Sequence, residues 1–221
     1  MLPKAIVKRA EEAGLDIIGI CDHNSTENSG AVQKAGEGKI WVLAGIEITS
    51  KEEVHILGLF DSSACLSELQ AIIYRSLPGE NDEVTFGEQI IVNEEGEILG
   101  ISSRLLIGAT ELPLKKVVDL IHIQGGIAIA SHIDRPSFSI ISQLGFIPED
   151  LELDALEVSK KTSIPEYAGR FPILFSSDAH YLQDIGKNFN LFLIEEPTIK
   201  EIKMAFREEE GRGIIKRTKR A

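Results

Sequence analysis

The stretch Gly14-Leu15-Asp16-Ile17-Ile18-Gly19-Ile20-Cys21-Asp22-His23-Asn24 decides the fold. Asp16–Ile20 is short and β-branched, which predicts a buried strand. Asp22, His23 and Asn24 follow it at once, so the strand delivers a carboxylate and an imidazole to its own carboxyl end. Upstream, residues 3–13 predict a helix, with a proline in its first turn, an Ala/Ile/Val face and Gly14 as its stop. Downstream, strands are expected at 41–49 and 54–60, a helix at 66–74, and a hairpin from 89–92 and 98–101 around Asn93-Glu94-Glu95-Gly96. A helix at 114–123, a strand at 127–131, a helix at 137–144, strands at 155–158, 173–176 and 191–194, and a last helix at 199–209 complete the pattern. Strands that alternate with helices predict an α/β fold with a mainly parallel sheet. In such folds ligands gather beyond the carboxyl ends of the strands.

The chain has 221 residues, which predicts one domain over 1–221. Residues 78–112 read as an insertion or lid. Folding can bury about 70% of the unfolded surface at this size, enough for a core without staples. Net charge is −12. That disfavours nucleic acid and anionic membranes as partners. It leaves an anionic substrate open, because metal ions can invert the local field. Arg212, Lys216, Arg217, Lys219 and Arg220 make the C-terminus basic, which reads as a solvated tail. Two cysteines, Cys21 and Cys65, form no disulfide framework, so a reducing cytoplasm is the expected setting. No apolar run reaches the ~20 residues of a membrane span.

Four of the five histidines stand at strand ends or just beyond them: His23, His55, His132 and His180. Three carboxylates keep them company: Asp22, Glu47 and Asp178. Each alone has an ordinary explanation. A histidine at a strand end is commonly structural, and Glu47 could face solvent from an edge strand. Together they form the ligand set of zinc, manganese or iron, converging at one end of a sheet. His122 differs. It closes a helix, where its charge suits the dipole, and reads as structural. Cys21 reads as a small buried hydrophobe.

The run 14–24 resembles the second motif of the PHP family (polymerase and histidinol phosphatase). Gly45-Ile46-Glu47 and Val54-His55-Ile56-Leu57-Gly58 resemble the next two. Ser131-His132 and Ser177-Asp178-Ala179-His180 resemble the later ones. The resemblance implies a distorted (β/α)7 barrel that holds up to three divalent ions and hydrolyses phosphate esters. It implies that Glu47 bridges two ions, that His55 and His132 complete the second, and that Asp178 binds the first. His23 and His180 would bind the third, with Asp22 in support. The family's N-terminal His-x-His strand has no counterpart in these residues. Either these residues are a shortened version of a longer chain, or the expected barrel lacks its first strand, a gap that a second copy of the chain could cover in a homo-oligomer.

The expected activity is phosphoester hydrolysis by a metal-activated water, on a small phosphorylated substrate. Arg135 is the candidate phosphate clamp, with Arg104 and Lys160 as further substrate-binding candidates. Asp178 or His180 could protonate the leaving group. The alternative is a catalytically impaired PHP-like domain that serves as a metal-binding or scaffold module.

Overall fold

The computed structural model describes residues 1–159 and 169–215. Helix α1 (Pro3–Glu12) starts on its proline and buries Ile6, Val7 and Ala10. Strand β1 (Ile17–Ile20) leads to helix α2 (Ser29–Gly36). Both helices pack on the outer face of β1 and of β2 (Trp41–Thr49) through one apolar cluster. The sequence pattern gives no signal for α2, because it is short, polar on its open side and lacks a side-chain cap. Its stability comes from packing on α1.

Strand β2 runs parallel to β1, whereas β3 (His55–Phe60) returns antiparallel. Only residues 50–54 join β2 to β3. A parallel crossover needs a dozen or more, so a hairpin is forced. The sheet is mainly parallel as expected, with β3 as its one reversed strand. Helix α3 (Ser67–Ser76), the single turn α4 (Glu83–Phe86) and the hairpin β4 (Ile90–Val92) and β5 (Ile98–Ile101) come next. Helix α5 (Leu114–Ile123) then precedes β6 (Ile127–Ala130). Helix α6 (Ile140–Leu144) begins three residues later than its expected start, where Ser139 and Ser142 form a reciprocal cap. Strands β7 (Ala155–Val158) and β8 (Ile173–Phe175) complete a six-stranded mixed sheet in the order β1-β2-β3-β6-β7-β8. Strand β9 (Leu191–Leu193), helix α7 (Ile199–Phe206) and β10 (Gly213–Ile215) follow.

β9 and β10 pair with each other, not with the main sheet. The basic C-terminus is thus only partly a tail. Arg212 is fixed by Glu201, 2.9 Å away, and by Glu195 at 2.8 Å. Lys216, Arg217, Lys219 and Arg220 lie outside the described residues.

The sheet is curled. Five strand spacings would hold β1 and β8 about 24 Å apart in a flat sheet. Yet His23, just past β1, and His180, just past β8, have ring centroids 6.4 Å apart. Successive side chains alternate faces, so one set lines the inside of the curl. At one end this inner face is apolar: Leu43, Ile127, Ile129 and Ala155 pack against Ile199 and Ile202 of α7. Toward the other end the same alternation presents Glu47, His55 and Glu157. The outer face, including Ala44, Ile46, Ile56 and Ala130, packs under α3 and α5 in the largest cluster.

The 78–112 segment stands beside the polar end and is stitched to it. Asn24 Nδ2 donates to Leu106 O and Gly108 O, both at 2.8 Å. Asn28 donates to Ile90 O at 3.2 Å and accepts from Val92 N at 3.0 Å. Lys34 pairs with Glu94, and Lys4 with Glu95. No helix among the described residues is long and apolar enough to cross a membrane.

Candidate metal centre

Glu47 is the hub. It sits on the inner face of β2, only 5% exposed. The β2–β3 register sets Thr49 opposite His55 and Glu47 opposite Leu57, so Glu47 and His55 share a face. His55 Nδ1 lies 3.0 Å from Glu47 Oε1. Phe138 stacks on the His55 ring, centroids 4.8 Å apart and planes at 21°. His132, just past β6, brings Nε2 to 3.4 Å from Glu47 Oε1. His23 extends β1 by a parallel bridge to Glu47, and its Nδ1 approaches Glu47 Oε2 at 3.4 Å. One carboxylate therefore meets three imidazoles. Donor atoms of His23, Glu47 and His55 all lie within 4.8 Å of one another.

Burial by itself would push the Glu47 carboxyl up. Hydrogen bonding with His132 and His55, and the charges of His55 and His23, reverse this and hold it well below the usual carboxylate range. Burial lowers the basicity of His23, and the neighbouring His55 and His180 add to that, against the pull of Glu47. Both shifts favour the forms that bind cations: an ionised carboxylate and a neutral imidazole.

Three strand-end residues adopt positive φ: Asn24 at 49°, His132 at 31° and Asp178 at 42°. Such backbone costs about 1–3 kcal/mol per residue and persists where the surroundings hold it. Around His132 the holding group is Glu157. Its Oε1 accepts from His132 N at 3.3 Å and from Ser131 Oγ at 3.4 Å. Glu157 lies in none of the sequence motifs. Its signal was present, a single carboxylate inside the apolar run Ala155–Val158, the same pattern that draws attention to Glu47. Burial pushes the Glu157 carboxyl up, and the nearby charges of Asp178 and Glu47 add to this.

The remaining candidates fall around this hub. Asp178 Oδ2 pairs with Arg135 Nη2 at 2.5 Å, and its Oδ1 lies 3.7 Å from His180 Nδ1. His180 is largely exposed and faces His23 across the seam of the curl. Asp22 accepts from Asn28 Nδ2 at 3.3 Å and faces a cleft at the edge of the cluster. Arg104 is not brought to the hub: its guanidinium lies 4.7 Å above the Tyr74 ring and donates to Tyr74 O at 2.5 Å. Lys160 lies outside the described residues. His122 pairs with Asp154 Oδ2 at 2.8 Å, away from the hub. Burial pushes the Cys21 thiol well up, in keeping with an inert apolar role.

The hub suits divalent metal ions. Nδ1 of His23 and Nδ1 of His132 are buried without a hydrogen-bond partner. Buried polar atoms are rarely left so, and a metal ion between His23, Glu47 and His55 would satisfy the His23 nitrogen. Imidazole nitrogen with carboxylate oxygen is a donor set shared by zinc, manganese and iron.

Residues 154–210 match the family described as PHP-associated. The chain is 25% identical over 229 residues to the uncharacterized protein YqxK of Bacillus subtilis (strain 168), covering 97% of this chain and 57% of that protein. Its fold is shared with the lesion-specific endonuclease PfuEndoQ from Pyrococcus furiosus, at a TM-score of 0.66 and 18% identity, covering 97% of this chain and 53% of the endonuclease. An endonuclease Q structure in complex with a 27-mer duplex, an abasic lesion at its active site, matches at 0.64 and 18%, covering 96% and 53%. A candidate metal-dependent phosphoesterase from Bifidobacterium adolescentis matches at 0.56 and 20%, covering 85% and 86%. The chain thus spans little more than half the length of YqxK and of the endonucleases. The endonuclease complex corrects one expectation. Net charge disfavoured nucleic acid as a partner, yet a protein of this fold holds duplex DNA. Net charge sums over the whole surface, whereas binding depends on the local field, which resident cations can invert. Residues 154–210 thus carry a PHP-associated match, and the chain shares its curled α/β fold with these proteins.

Proposed function

We propose that the chain hydrolyses phosphoesters with divalent metal ions held at the Glu47 hub. The observation that carries this is one buried carboxylate ringed by three imidazoles, two of which keep an open buried nitrogen. Bound divalent ions would polarise the phosphoryl group and supply an activated water. Glu47, His55, His132, His23 and His180 would hold them. Asp178 would serve the remaining position, with Asp22 in support. Arg135 stands on Asp178 and is placed to take a phosphoryl oxygen with its planar fork. Asp178 or His180 could give a proton to the leaving oxygen only where it is not itself held by an ion. Nucleic acid stands among the phosphoesters to test, since a protein of this fold is seen on abasic DNA.

One observation favours a second reading, a metal-binding or scaffold module. Asp178 is already paired with Arg135, which reduces its hold on an ion. Metal stoichiometry and turnover separate the two. The chain, loaded with manganese or zinc, is assayed on p-nitrophenyl phosphate, bis-p-nitrophenyl phosphate and an abasic duplex. Hydrolysis that a chelator abolishes is the expected result. Metal bound without hydrolysis of any of the three would favour the scaffold reading.

A further inference from the structure

A cleft of about 250 Å³ opens at the edge of the hub, with Asp22 and His23 at its inner end. One wall comes from the loop after β1 and carries Ser25 and Glu27. The other comes from the 78–112 segment, where Ile90, Ile91, Leu106 and Ile107 give an apolar surface. The volume is below the roughly 300–1,000 Å³ of sites for drug-sized ligands, so it suits a single ring.

The amide donors along this cleft are already engaged. Asn28 Nδ2 donates to Asp22 and to Ile90 O. Gln89 Nε2 donates to Ser102 O and to Arg104 O. No lysine or arginine is among the described lining residues. Beside the apolar wall stand the carboxylates of Asp22 and Glu27, each accepting one hydrogen bond, from Asn28 and Tyr74, with lone pairs to spare, and the hydroxyls of Ser25 and Ser102. Acceptors without cations favour a neutral group with N–H or O–H donors and disfavour an anion.

We propose that this cleft receives the non-reacting part of the phosphoester, and that it selects an uncharged ring bearing hydrogen-bond donors. This rests on the phosphoester reading of the adjoining centre. The division of labour is physical. The phosphoryl charge goes to the metal centre and the neutral remainder to the acidic, half-apolar cleft. Further phosphates on the same substrate lie outside it.

Two isosteric esters test this, 4-carbamoylbenzyl phosphate and 4-carboxybenzyl phosphate, which differ in one charge. The metal-loaded chain should turn over the amide with kcat/KM at least about tenfold higher. Glu27→Gln, which keeps an acceptor for Tyr74, should narrow that ratio. Ile107→Lys, which sets a cation on an exposed part of the apolar wall, should reverse it. In parallel, 4-(hydroxymethyl)benzamide and 4-(hydroxymethyl)benzoate are titrated into the metal-free chain by NMR. The benzamide should shift amide resonances of residues 90–91 and 106–107, and the benzoate should not. A wild-type ratio near one, a ratio unmoved by both variants, or shifts from the benzoate alone or from neither compound would overturn the proposal. If neither ester is hydrolysed, the phosphoester reading fails, and the titration alone decides the cleft.

Discussion

The ends of β2 and β7 make an instructive pair. Each carries one buried glutamate in an otherwise apolar strand, Glu47 at 5% exposure and Glu157 at 4%. Burial pushes both carboxyls up, and their neighbours then separate them. Glu47 faces three imidazoles and is held well below the usual range. Glu157 faces a backbone N–H and a hydroxyl, with Asp178 and Glu47 adding negative charge, and stays raised. The same residue in the same kind of strand becomes a metal-ligand candidate in one place and a brace in the other. What surrounds a buried carboxylate sets its chemistry.

The largest effect should come from Glu47→Gln. It removes the anion beneath three imidazoles, so metal content by elemental analysis should fall. Any metal-dependent hydrolysis should drop by more than the ~100-fold that loss of a supporting group costs. Retained metal and turnover would break the assignment of Glu47 as the hub.

A pH series sharpens the comparison further, using denaturant unfolding of the metal-free chain. Glu47 has a depressed folded pKa. Its stabilising contribution is present above the ordinary carboxylate value and is lost as pH falls below it. The deficit of Glu47→Gln should therefore be full near neutrality and shrink toward pH 4. Glu157 has a raised folded pKa. Its contribution is full below the ordinary value and is lost as pH rises through the folded pKa. Glu157→Gln should thus gain on wild type as pH rises. Equal slopes for the two variants would remove the distinction. The smallest effect belongs to the fifth histidine. His122→Ala should cost about 1 kcal/mol from its pair with Asp154 while leaving metal content unchanged.

Much of the site was legible in the chain. His23, Glu47, His55 and His132 were visible because ligand-type residues at the ends of apolar runs break the hydrophobic pattern in a regular place. Glu157 shows the same break but carries no motif. Its importance comes from the positive φ of His132, which depends on a turn formed in three dimensions. The 78–112 hairpin was visible from its turn residues. Its attachment through Asn24 and Asn28 was not, because those bonds span 62 to 84 residues of chain.

The sequence by itself determined most of the strands and helices of an α/β chain, though not α2 or β10, and which residue types stand where the strands end. Periodicity and local turn chemistry suffice for that, since they act within a few residues. Only the tertiary structure decided that the sheet is mixed, that it curls until the ends of β1 and β8 meet, and that one carboxylate gathers three imidazoles. Those outcomes depend on strand register, on the short link at 50–54 and on the packing of α7 against the inner face. Each joins residues far apart in the chain, through contacts that no local pattern encodes.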